Sequence, residues 1–228
     1  MAVDEALLMA GGPPTLRLYG WSPHAVSLGY FQRVADFADL PSGTTVVRRL
    51  TGGGAIHHGD ERTFSLALDA DCLPRDVDAS YRVLHHAVIT ALRTIGGNGE
   101  LLLHGDAPHA RPTERWCFRQ PGRGDVVTAR GKLLGSAQRR VHLGGPRVLH
   151  HGSLVLERPP LTPFVAALAD DTPMHEANRR RLDEALVTAL AAAIGLAAEP
   201  GALTAAEFDL AQQLAVGRYA DPAFLGRR

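Results

Sequence analysis

The sequence is short of lysine, asparagine, cysteine and unbroken apolar runs, and each scarcity excludes something. Two cysteines, Cys72 and Cys117, cannot build a disulfide framework, which suits a reducing cytoplasm. The least polar stretch, Val187 to Ala198, falls well short of the roughly 20 residues of a membrane-spanning helix, so no membrane span is expected. The start, MAVDEALLMAGGPP, lacks the cationic region of a secretory signal. Basic and acidic residues balance at 24 each. That leaves no positive surplus of the kind that grips phosphate backbones, and nucleic acid is not an expected partner. What remains is an ordinary globular composition, 45% apolar over 228 residues. With no internal repeat, low-complexity block or linker, one domain over 1–228 and a monomeric state are expected.

The shortage of lysine is extreme: one of the 24 basic residues is Lys132 and all the others are arginine. Asparagine occurs only at Asn98 and Asn178, while Ala, Gly, Pro and Arg abound, the usage of a GC-rich genome. Under that bias a site tolerating either cation drifts to arginine. Lys132 then marks a place where a planar guanidinium fails and a compact ammonium is required. Taken alone, chance survival of one lysine explains it equally well.

Periodicity places strands in TLRLYGW, HAVSLGYFQ, TTVVRRL and RTFSLALDA, between Thr15 and Asp69, as the beginning of a sheet. Asp76 to Ile95 carries Tyr81, Leu84, Val88, Ala91, Leu92 and Ile95 at helical spacing and ends at Gly96-Gly97. After a short apolar run, Glu100 to Leu103, the stretch GDAPHARPTERW reads as a long loop, often a functional feature. Asp125 to Ala129, Lys132 to Val141 and Val148 to Leu156 read as consecutive antiparallel strands, with turns at Gly131 and Gly144-Gly145. Helices are expected at Pro163 to Ala169, at His175 to Ala198, and from Thr204, where Thr-Ala-Ala-Glu207 forms a capping box. Strands followed by helices on one face give an α+β class with a mixed, largely antiparallel sheet.

Three segments can carry chemistry. In Arg48-Arg49-Leu50-Thr51-Gly52-Gly53-Gly54-Ala55-Ile56-His57-His58, three glycines allow close backbone approach to a ligand, and two arginines can bond phosphate or carboxylate. A flexible hairpin explains a bare GGG as well. It is neither a Rossmann fingerprint nor a Walker A loop, because Gly131-Lys132 is followed by Leu133. In the second segment, GKLLGSAQRR with His150-His151-Gly152-Ser153, lysine, small residues and histidine on adjacent strands can converge. No histidine pair has zinc-site spacing, so no metal is expected. Ser136 and Ser153 lack the GxSxG elbow of a serine hydrolase. The third is Trp116-Cys117-Phe118. A cysteine between aromatics is commonly a buried apolar residue. If the DVV and KLLGSAQ strands pair, however, Lys132 lies near Cys117, where an ammonium favours the thiolate that attacks acyl groups. Cys72 reads as structural.

Together these segments resemble the lipoate-attachment superfamily of lipoate-protein ligases, octanoyltransferases and, more distantly, biotin-protein ligases. The matching pieces, in the family's order, are MAVDEALL, TLRLYGW with VSLGYFQ, RRLTGGGAIHHGDERTFSLAL, CFRQPGRGDVV, GKLLGSAQRR and HHGSLVL, with LTAAEFDLAQQLAVGRYADPAF resembling the closing helix. The resemblance implies a biotin/lipoate-protein-ligase-like catalytic domain that moves an octanoyl or lipoyl group onto a lysine of a small carrier domain. By match of motif it implies Arg49, Gly53, Gly54 and Ala55 along the acyl or adenylate pocket, Lys132 as the essential lysine, and Ser136, Ala137 and His151 beside the acyl carbonyl.

Ligases activate a free acid with ATP and need no cysteine. The ligase-like octanoyltransferases resemble this chain in carrying a cysteine ahead of the Asp-Val-Val strand and the lysine, and the stretch after Pro200 has room for one helix rather than an accessory domain. Both points favour an octanoyltransferase acting through a Cys117 thioester. It would need neither ATP nor another cofactor, take its donor as octanoyl-acyl carrier protein, and serve a lipoyl domain or the glycine-cleavage H protein as acceptor. Carriers of this kind are acidic, and Arg139-Arg140 or Arg179 to Arg181 are candidate docking clusters. An ATP-dependent lipoate-protein ligase and a non-catalytic acyl or carrier-binding module remain the alternatives.

Overall fold

The computed structural model describes residues 1–105 and 114–227. Its elements run α1 (Ala2–Ala10), β1 (Thr15–Tyr19), β2 (Ala25–Leu28), β3 (Thr45–Arg48), β4 (Ile56–His58), β5 (Glu61–Asp69), α2 (Val77–Arg93) and β6 (Glu100–Leu101). There follow β7 (Val126–Thr128), β8 (Gly131–His142), β9 (Pro146–Val155), α3 (Glu176–Ala193), α4 (Ala205–Leu214) and α5 (Pro222–Leu225). Most of the loop expected between Gly105 and Trp116 lies outside the described residues.

The class is α+β, with a six-stranded sheet in the order β1-β5-β9-β8-β7-β6, antiparallel at every pairing. The N-terminal strands do not all enter it. β2, β3 and β4 form a separate sheet in which β2 runs parallel to β3 and antiparallel to β4. The division falls at Trp21-Ser22-Pro23-His24, where proline has no N–H with which to continue a ladder.

Alternation along β5 and β9 builds two different faces. Phe64, Leu66, Leu68, Val148 and Leu154 point to one side and form the main core with α2 and α3, through Leu84, Val88, Leu92, Leu182, Leu186 and Leu190. Asp76 caps α2 by accepting from Ala79 N at 2.7 Å, and the Thr204–Glu207 capping box starts α4. The opposite side of the strands is partly polar, with Thr63, Ser65, His151 and Ser153, yet all four are buried. α1 covers part of it, with Leu8 against Leu50 and Leu149. Helices therefore occupy both faces, not one, because the second face holds a site instead of meeting solvent.

Two helical expectations fail locally. Pro163 to Ala169 forms no α-helix, only a 3-10 turn at Leu168–Asp170. Its backbone is spent on neighbours, with Ala166 N donating to Lys132 O at 3.3 Å and Arg158 Nε donating to Val165 O at 2.9 Å. α3 stops at Ala193, ahead of Gly195, whose φ of 74° breaks the helical path.

Candidate active site

The site begins with an irregularity in β8. Val126 pairs with Leu134 and Val127 with Lys132, which leaves Leu133 as an extra residue, a β-bulge. Leu133 and Leu134 both sink into the main core. Strict alternation from Leu134 would send Lys132 there too; the extra residue turns it to the opposite face. There its side chain lies over Gly135, so close that a Cβ on that glycine would fall 2.8 Å from Lys132 Cε and 3.3 Å from Cys117 Sγ.

Lys132 Nζ stands 2.7 Å from Asp125 Oδ2 and 3.4 Å from Cys117 Sγ. The lysine side chain is 5% exposed. Burial works against its charge, but Asp125 and then Cys117 outweigh it and raise the ammonium's pKa above its ordinary value. Asp125 is fixed in turn by Gly122 N, which donates to its Oδ2 at 2.7 Å. The pairing of the DVV and KLLGSAQ strands thus brings Cys117 and Lys132 together. Asp125 was overlooked in the sequence, although it is the acid that opens the strand leading to the lone lysine.

The glycine loop backs the cysteine. Cys117 N donates to Ala55 O at 2.9 Å, and Ala55 N donates to Arg115 O at 2.7 Å. A Cβ on Gly54 would lie 2.7 Å from Cys117 N, so that position requires glycine. Gly53 has φ 92° and also requires it. The two arginines are not free for an anion. Arg48 donates to the carbonyls of Gly29, Tyr30, Gln32, Phe224 and Leu225. Arg49 donates to Ser27 O at 3.0 Å, Gly52 O at 2.9 Å and Gly54 O at 2.6 Å, and burial pushes its pKa down to about 10, leaving it charged at neutral pH.

A narrow pocket, open at its mouth, runs between the sheets and is walled by Arg49, Gly52, Gly53, Cys117, Ala137 and His151 among others. Gly54 and Ala55 stand behind Cys117 instead of on the wall. Ser136 contributes backbone, since its hydroxyl is turned to the α2 side, 2.7 Å from His85 Nε2. His85 Nδ1 bonds the Gly124 carbonyl, and burial pushes this histidine's pKa down to about 4, so Nε2 of the neutral ring accepts from Ser136. His151 Nε2 meets Thr51 Oγ1 at 2.7 Å, and burial, with Arg49 adding to it, pushes its pKa down to about 3.

Trp21, overlooked in the sequence, and His58, which closed the glycine segment without being given a role, also line the cavity. They stack at 3.8 Å between centroids, and Trp21 Nε1 donates to Thr63 Oγ1 at 2.9 Å. His58 joins Ser27 Oγ at 2.7 Å to Glu61 Oε1 at 2.9 Å, while Ser153 Oγ donates to Glu61 Oε2 at 2.8 Å. These polar atoms are turned on one another, so the wall they offer is carbon-rich. The H-x-x-E spacing of His58 and Glu61 was the available signal. Among the described residues no group of three or more His, Cys, Asp or Glu is arranged to hold a metal ion, and no helix is long and apolar enough to cross a membrane.

The architecture is that of lipoate-protein ligases: the bipartite lipoate protein ligase of Thermoplasma acidophilum superposes with a TM-score of 0.73 at 22% identity, over 100% of this chain and 91% of its own. The lipoyl protein ligase A/B catalytic domain model matches residues 1–209, and the chain belongs to that family. Octanoyltransferase LipM of Kyrpidia tusciae is 35% identical over 254 aligned positions, covering 97% of this chain and 92% of the relative. Octanoyltransferase LipM of Symbiobacterium thermophilum is 32% identical over 250, covering 96% and 90%.

Proposed function

We propose that the protein is an octanoyltransferase of lipoate biosynthesis, moving an octanoyl group from acyl carrier protein, through a thioester on Cys117, to a lysine of a lipoyl domain or glycine-cleavage H protein. The observation that carries this reading is a thiol beside a buried ammonium on the wall of a carbon-rich pocket, whose lining from Cys117 to Trp21 extends about as far as an eight-carbon chain. Gly135, Ser153 and Thr63 are register partners across β8, β9 and β5. Cys117 lies over Gly135 and Trp21 over Thr63. Two inter-strand spacings of about 4.8 Å therefore separate the nucleophile from the tryptophan by about 10 Å. β4 gives the same figure: Ala55, bonded to Cys117, and His58, stacked on Trp21, are three residues apart, about 10 Å at strand rise. An extended octanoyl chain, with seven carbon–carbon bonds each advancing about 1.25 Å, spans about 9 Å.

The Cys117 thiolate attacks the donor's thioester carbonyl, forming a new carbon–sulfur bond. The tetrahedral oxyanion collapses, the donor's carbon–sulfur bond breaks, and the carrier leaves as a thiolate that takes up a proton from solvent. The neutral amine of the acceptor lysine then attacks the Cys117 thioester. An amide forms, the Cys117 carbon–sulfur bond breaks, and the amine's surplus proton passes to solvent. Lys132 supplies the positive charge at each appearance of thiolate or oxyanion, held in place by Asp125. This chemistry draws on neither ATP nor a metal, and its carriers are cytoplasmic proteins.

Intact-mass analysis after mixing with octanoyl-acyl carrier protein, without ATP, tests the reading. A hydroxylamine-labile octanoyl adduct that disappears in Cys117→Ser is expected. No adduct, together with ATP-dependent labelling of a lipoyl domain by free lipoate, would instead establish a ligase.

A further inference from the structure

We infer that the face around Tyr30 and Phe31 is the docking surface for the acidic carrier protein that brings the acyl thioester, an inference that rests on the octanoyltransferase reading above. Phe31 is 76% exposed, beside the mouth of the cavity: its ring would lie 3.8 Å from a Cβ on Gly52, a wall residue. It meets Tyr30 edge-on at 5.1 Å. Over Tyr30 stand two guanidiniums, Arg139 at 5.5 Å and Arg227 at 5.3 Å, and exposed Arg33 follows Phe31 by two residues. None of these three arginines has a carboxylate partner among the described residues.

Arg139 donates to the Leu50 carbonyl at 3.1 Å, which fixes it without cancelling its charge, and what sets this face apart from the other basic clusters is its place beside a residue of the cavity wall. Arg179 is spent on Asp60 and Glu157, Arg180 pairs with Glu176, and Arg181 bonds the Thr94 carbonyl. Arg140 bonds the Pro74 carbonyl, and Arg115 pairs with Asp39. Exposed Asp36 is the acid that remains beside Arg33. With zero net charge overall, the protein can draw an anionic partner only through a local excess, and one such excess lies beside Gly52 on the cavity wall. Guanidiniums with no carboxylate beside them match carboxylates and the phosphodiester at the root of a carrier's thiol arm, and an exposed aromatic among arginines is the composition of an interface hot spot. Once the carrier rests on this face, its arm has the Gly52 side of the cavity before it.

The test compares octanoyl-acyl carrier protein with octanoyl-pantetheine, which lacks both the carrier and its phosphodiester, each scored by the rate of Cys117 acylation. The double variant Arg139→Glu/Arg227→Glu and the single variant Phe31→Ser are expected to lose about tenfold or more with the carrier protein at low salt and to keep the wild-type rate with octanoyl-pantetheine. The loss should shrink as salt rises for the charge variant and persist for Phe31→Ser. Equal rates for variant and wild type with the carrier donor would overturn the inference. So would an equal loss with both donors, or a defect confined to transfer onto the lipoyl domain, which would make this face the acceptor's. If the wild-type enzyme is acylated by neither donor, the octanoyltransferase reading itself falls. Acylation by octanoyl-pantetheine alone would keep that reading and overturn only the docking face.

Discussion

Replacing Lys132 by arginine keeps the charge and should remove most of the activity. The ammonium sits 2.7 Å from Asp125 and 3.4 Å from the Cys117 sulfur, on a side chain 5% exposed. Its Cε crosses Gly135 at a distance that would not admit a methyl group, 2.8 Å from an ideal Cβ. A guanidinium is longer and planar, so it cannot hold Asp125 and remain under the sulfur in the same space. Retained charge keeps Asp125 paired, which avoids the roughly 3–5 kcal/mol expected when one member of a buried pair is deleted, as in Lys132→Met. Overpacking should cost about 1–3 kcal/mol of stability. The catalytic loss should be larger in effect. Displacing a preorganised donor from a developing oxyanion typically costs a factor of about 100 to 1,000 in rate, or about 3–4 kcal/mol. Stopped mixing with octanoyl-acyl carrier protein followed by intact mass reads the acylation rate, and urea unfolding reads stability. Wild-type acylation in Lys132→Arg would refute the steric argument, and a variant that fails only because it unfolds would show a lost urea transition.

Other perturbations follow from the same geometry. Gly54→Ala places a methyl 2.7 Å from Cys117 N, and should slow acylation sharply while costing about 1–3 kcal/mol of stability; unchanged acylation would mean that the loop does not fix the cysteine. Trp21→Ala should open the end of the cavity remote from Cys117 and move the preferred donor from octanoyl to longer acyl chains, and an unaltered profile across donors of increasing length would sink the length argument. Acid should destabilise the fold through its buried histidines. Burial pushes His85 down from 6.5 to about 4 and His151 to about 3, so between pH 6.5 and these values the unfolded chain binds the additional protons. Stability is then complete above about pH 6.5 and falls as pH drops, by up to about 3 kcal/mol for His85 alone. A urea midpoint constant from pH 7 to pH 4.5 would contradict this.

Legibility in the sequence followed locality. α2 declared itself through its apolar stripe and its Asp76 cap, and α4 through its capping box, because both signals lie within a few residues. The division of the N-terminal strands between two sheets was hidden, since alternation says that a strand exists and not which partner it takes. The second face of β5 and β9 misled for a related reason. Thr63, Ser65, His151 and Ser153 look like a solvent face, but each polar atom finds a buried partner: Thr51 for His151, Glu61 for Ser153, Asp4 for Ser65. The histidine pairs show the same limit. His58, His85 and His151 are hydrogen-bonded, whereas His150, equally buried, stacks on Phe64 with neither nitrogen partnered among the described residues. No residue-type count separates these fates.

The lone lysine shows where sequence and fold meet. Codon bias explains why arginine fills tolerant positions, but it does not say why position 132 is intolerant. The bulge does. Without Leu133 as an extra residue, Lys132 would project into the Leu134–Leu154 core, where a charge has no partner. With it, the lysine emerges over Gly135, a position in β8 that offers no side chain, and meets an acid and a thiol. Each part depends on another: the glycine makes room, the bulge sets the direction, Asp125 holds the charge, and Cys117 receives it. Arginine satisfies the last two in charge alone and the first not at all. Gly135→Ala should therefore reproduce the defect of Lys132→Arg with the lysine still present. If it acylates normally, the room over Gly135 is not what excludes arginine.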